Sequence, residues 1–69
     1  MLNFDYTIEL LIKSTEDHAG IYYWFQENNI NYRNSVPFGR DWVYVYHFED
    51  LETATWFQLV WGHLVINQI

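Results

Sequence analysis

The sequence predicts an α+β fold: a two-layer sandwich with two helices on one face of a four-stranded antiparallel sheet. Three observations carry the prediction. Residues 3–12 alternate apolar and polar side chains, the period-2 mark of a strand with one buried face. Two later segments repeat apolar residues at helical spacing behind a capping residue. Three further short runs, one polar and two rich in aromatic or β-branched residues, complete the order βαββαβ.

Within the first strand, Phe4, Tyr6, Ile8, Leu10 and Ile12 point one way, and Asn3, Asp5, Thr7, Glu9 and Leu11 the other. Ser14 then supplies a hydroxyl cap, and Glu16 and Asp17 sit where a helix dipole favours acids. His18, Ile21, Tyr22 and Phe25 form the expected core stripe of this helix, and Gly20 marks a close approach to the sheet. Asn28-Asn29 ends it, because asparagine tolerates the left-handed conformation of a helix stop. A polar run from Ile30 to about Val36 reads as an edge strand, and Pro37-Phe38-Gly39-Arg40 as a turn.

The strongest later strand runs from Trp42 to Phe48. Trp42, Tyr44, Tyr46 and Phe48 are expected to face the helices, with Val43, Val45 and His47 on the open side. The reverse facing would expose Trp42, Tyr44 and Tyr46 instead. Asp50 opens the second helix, Leu51, Ala54, Phe57, Gln58 and Trp61 line its buried side, and Gly62 stands as its stop. Residues 63–67 close the chain as a short strand. This is the ferredoxin-like βαββαβ arrangement, with residues 1–69 as a single domain.

So short a chain, without cysteine, has neither disulfides nor a thiolate-held metal to staple it. Aromatic residues make up 22% of it and supply the core mass instead. A net charge of −6 repels phosphate backbones, so no direct nucleic-acid binding is expected. The chain lacks an apolar stretch long enough for a membrane span, and a cytoplasmic location is expected.

The segment Tyr46-His47-Phe48-Glu49-Asp50-Leu51-Glu52-Thr53-Ala54 resembles the strand-to-helix junction of the RNA-recognition motif. The resemblance implies the ferredoxin-like fold. It does not extend to RNA binding, since the expected facing leaves no ring on the open sheet to stack a base. The aromatic strand, the Phe48-Glu49-Asp50 junction, the helix with Ala54, Phe57 and Leu59, and the Trp61-Gly62 stop are also similar in style to short proteins of tailed phages, marine ones in particular. That likeness implies a small intracellular accessory or host-interacting protein.

The residues point to no catalytic group, cofactor or metal site. His18, His47 and His63 fall on different elements without ligand spacing, and His47 is expected to pair with Asp5 or Glu9 across neighbouring strands. The acids group at helix starts, where capping explains them. Glycines 20, 39 and 62 are isolated, unlike a phosphate-binding loop.

The aromatic surplus is more informative. Tyr22, Tyr23 and Trp24 are consecutive and span about 200° of a helix, so they cannot all face the sheet. With Tyr22 inward, Tyr23 and Trp24 lie outside or drape over the groove between the helices; with Phe57 inward, Trp56 is partly exposed. Exposed rings of this kind are enriched at interface hot spots. The expected function is therefore protein–protein interaction by a non-enzymatic domain. Tyr23, Trp24 and Trp56 are its contact residues on the helices, and Val43, Val45 and His47 on the sheet. A homodimer is expected. The alternatives are an acidic decoy imitating nucleic acid and a small-ligand regulatory module.

Overall fold

The computed structural model describes residues 3–68 of the chain; Met1, Leu2 and Ile69 lie outside the described residues. Its elements are β1 (Tyr6–Leu11), α1 (Thr15–Glu27), β2 (Tyr32–Ser35), β3 (Val43–Phe48), α2 (Leu51–Trp61), a 3-10 turn (Gly62–Leu64) and β4 (Val65–Gln68). The strands form one antiparallel sheet in the order β2-β3-β1-β4. With the helices both on one face, this is the ferredoxin-like topology expected from the sequence.

Local chemistry sets the helix limits. Ser14 Oγ accepts from the amides of Glu16 and Asp17, at 3.1 and 3.3 Å, so the first free N–H groups of α1 are satisfied. At its other end Asn29 has φ 51°. The Ile30 amide donates to Phe25 O and the Asn29 amide to Gln26 O, a Schellman stop that seats Ile30 against the core. In α2 the Asp50 carboxylate accepts from both the amide and the hydroxyl of Thr53, at 3.1 and 2.8 Å.

The core lies between sheet and helices. Ile8, Leu10 and Ile12 from the first strand and its end, with Tyr46 and Phe48 of β3, meet Ile21 and Phe25 of α1 and Ala54 and Phe57 of α2. Phe25 stacks on Tyr32 at 3.8 Å between centroids and on Phe57 at 5.4 Å. The inward facing of Tyr44, Tyr46 and Phe48 therefore holds, and the reverse facing does not.

Several expectations need correction. Trp42 stands before β3 with φ 68° and is 54% exposed, because a left-handed residue breaks the strand's alternation. Phe4 leaves the inward set, and its ring lies 4.8 Å from the Arg33 guanidinium. On α1 the buried stripe is Ile21 and Phe25, while Tyr22 is exposed and Trp24 packs on the core. The helix is turned so that the side bearing Gly20 and Trp24 meets α2. Gly20 accordingly marks contact with Trp61, where an added Cβ would stand 3.0 Å from the indole, and not with the sheet. Leu51 is exposed at the first turn of α2. Gly62 has φ −57° and continues into the 3-10 turn, so it is no left-handed stop.

Candidate interaction surfaces

The sheet face away from the helices is built from β1 and β3 in antiparallel register. Val43 stands opposite Leu11, Val45 opposite Glu9, and His47 opposite Thr7. Ser35 and Arg33 of β2 lie on the other side of Val45 and His47. Val43 and Val45 retain only 5% and 7% of their exposure. β1 flanks both of them and β2 also flanks Val45, so they offer little apolar surface to a partner. Beside them Arg40 reaches back from the turn to Glu9 at 3.4 Å, and the Glu9 side chain is largely covered.

His47 does not pair with Asp5 or Glu9. Its Nδ1 lies 3.0 Å from Thr7 Oγ1, and its Nε2 lies 3.3 Å from Ser35 Oγ. The imidazole thus clips three strands together through two hydroxyls. Of the other histidines, His18 rests against Tyr44 with ring centroids 5.0 Å apart, and His63 lies exposed near Trp61. Among the described residues, no group of three histidine or acidic side chains is placed to hold a metal ion.

The helical layer carries the larger exposed apolar surface. Tyr23 is 62% exposed and Trp56 42%. Trp24 is half-buried, packed edge-on against Trp56 at 4.9 Å and tilted on Phe57 at 5.8 Å. It joins the two helices and holds the Trp56 ring in place. Leu59 and Val60 of α2 are exposed on the same layer. Sequence reasoning overlooked them, although a helical projection with Phe57 inward turns Leu59 outward and leaves Val60 on the flank.

A third apolar feature was also overlooked. In the β2–β3 turn, Arg40 N–H donates to Pro37 O and Gly39 has φ 79°, the pattern of a type II turn. Phe38 stands at its tip without any covering, beside exposed Val36 and Trp42. An open depression of about 460 Å³ lies against these residues and Tyr44. A large ring in an otherwise polar turn was the available signal. The polar side chains there are Arg40, already engaged by Glu9, and Asp41.

No helix among the described residues is long and apolar enough to cross a membrane. No known protein family, curated protein or solved structure matches the chain.

Proposed function

We propose that this chain is a non-enzymatic interaction domain that docks a partner protein through its helical layer. The observation that carries the reading is the pair of exposed rings on the helical layer, Trp56 held by Trp24 between the helices and Tyr23 packed edge-on against Tyr22. Large rings held rigidly at a surface lose little side-chain entropy on contact, which is why they dominate interface energetics. The alternative contact set on the sheet is less favoured, because Val43 and Val45 are nearly covered and His47 is committed to Thr7 and Ser35. The same burial weakens the case for a homodimer through that face. The Ser35–His47–Thr7 chain is read as structural: a threonine hydroxyl brings no negative charge to stabilise an imidazolium, as the third member of a hydrolytic triad does. A cytoplasmic protein that modulates a host protein, as the likeness to small phage proteins implies, fits this reading.

The test joins two measurements. Light scattering at low and high concentration is expected to give a monomer. A dimer abolished by Trp56→Ala would make a second copy the occupant of the helical layer and sink the foreign-partner reading. Affinity capture from the native cell, followed by reconstitution with the purified partner, is expected to lose that partner with Tyr23→Ala or Trp56→Ala. It should keep it with Val45→Ala. Capture indifferent to both ring variants would remove the helical layer from consideration.

A further inference from the structure

Charge and aromatic surface are arranged together in this molecule, and their arrangement selects the partner. All three cations lie off the helices: Lys13 between β1 and α1, Arg33 on β2, and Arg40 in the turn. Asp5, Glu9 and Asp41, which also lie off the helices, balance those three. The remaining six acids are Glu16, Asp17 and Glu27 on α1, and Glu49, Asp50 and Glu52 at or just before the start of α2. The net charge of −6 thus resides in the helical layer.

Capping explains Ser14's neighbours and Asp50, but it does not explain Glu27. That residue occupies the last turn of α1, where the helix dipole disfavours an acid and no basic side chain is present. Gly20 faces Trp61 and Trp24 faces Trp56, so the helices run antiparallel. One further turn along α1 places Glu27 at the end of the helical layer where α2 starts, the end that also carries Glu52 and the Asp50 cap. These acids also stand within one helical turn of the exposed rings: Glu27 follows Tyr23 by four, and Glu52 precedes Trp56 by four. No lysine or arginine lies on either helix to offset these acids.

We propose that the helical layer binds a cationic, arginine- or lysine-rich polypeptide segment, whose side chains lie on Tyr23, Trp24 and Trp56 with their charged heads at Glu27 and Glu52. The proposal rests on the helical layer being the binding face and adds the chemistry of its partner. Rings attract cations through their faces, and long basic side chains also cover apolar surface with their stems. The same field opposes nucleic acid, an anionic lipid surface and a second copy docking by this face.

The test uses an arginine nonapeptide as probe and a glutamate nonapeptide as control, read by tryptophan fluorescence at low and moderate salt. The arginine peptide is expected to bind saturably and to weaken with salt, whereas the glutamate peptide does not bind. The pair Glu27→Gln and Glu52→Gln should lower affinity about tenfold, whereas Asp5→Asn with Asp41→Asn, the same charge change elsewhere, should alter it less than about twofold. Glu27→Gln alone should raise the thermal midpoint of the free protein, as expected when an unrelieved acid is removed. No saturable binding, or equal losses from the two double variants, would overturn the proposal. Binding that needs Trp56 or Tyr23 but ignores Glu27 and Glu52 would overturn the cationic partner and leave the binding face standing. Binding that ignores both rings would overturn the binding face itself.

Discussion

At the residue scale, the least ordinary position is Trp42. A bulky residue at φ 68° costs about 1–2 kcal/mol relative to the right-handed regions. Two features hold it there: its carbonyl accepts from Ile12 N–H at 2.8 Å, and its ring is half-covered. Removing the ring keeps the strained backbone, and only glycine removes the strain. Trp42→Gly should therefore be more stable than Trp42→Ala by about 1 kcal/mol, the reverse of the usual order. Equal urea midpoints for the two variants would show that the backbone relaxes once the ring is gone. Asp50 gives a second case. Its carboxylate serves both donors of Thr53, so Asp50→Ala should cost about 1–2 kcal/mol, whereas Asp50→Asn, which keeps an acceptor, should cost less.

At the element scale, the close crossing of α1 and α2 depends on Gly20. Glycine lowers helix propensity by about 1 kcal/mol relative to alanine, so Gly20→Ala would ordinarily stabilise α1. Here the added Cβ meets Trp61 Cη2 at 3.0 Å, and Trp61 is packed against the core. Gly20→Ala should then give no gain or a small loss. In a Trp61→Phe background, where the outer indole ring is absent, it should stabilise; a change of the same size in both backgrounds would refute the crossing argument. This crossing also marks the limit of what the sequence discloses. Caps and strand alternation are local, so Ser14, Asn29, Asp50 and the inward set of β3 were legible from neighbouring residues alone. The rotation of α1 was not, because Ile21, Tyr22 and Trp24 offer similar apolar mass. Only packing against Trp56 and Trp61 decides which of them faces in. The same holds for Val43 and Val45: alternation gives their face, but neighbouring strands decide whether that face is open. Of the contact residues, Tyr23 and Trp56 were legible as rings displaced by an inward neighbour. Phe38 and Leu59 were passed over because each was judged within its own short segment.

At the scale of the whole molecule, the aromatic core couples folding to alkaline pH through Tyr46. Its side chain is 3% exposed amid Phe25, Phe57 and Tyr32. Burial pushes its hydroxyl from the ordinary 10.0 up to about 12, with the nearby Tyr32 and Tyr44 adding to the effect. Below the ordinary value both folded and unfolded chains keep the proton, and the fold is not penalised. Between 10.0 and about 12 the unfolded chain releases it while the folded chain retains it, so stability falls as pH rises. A shift of this size corresponds to about 3 kcal/mol, a large share of what holds so small a domain together. Tyr46→Phe keeps the ring and removes the titration. Urea midpoints at about pH 9 and about pH 12 should therefore diverge, the native chain losing about 2 kcal/mol more than the variant over that interval. The two chains differ only in this hydroxyl, so the difference between them isolates Tyr46. If both chains lose the same stability, Tyr46 ionises without unfolding the core, and the rings around it admit water more freely than their stacking implies.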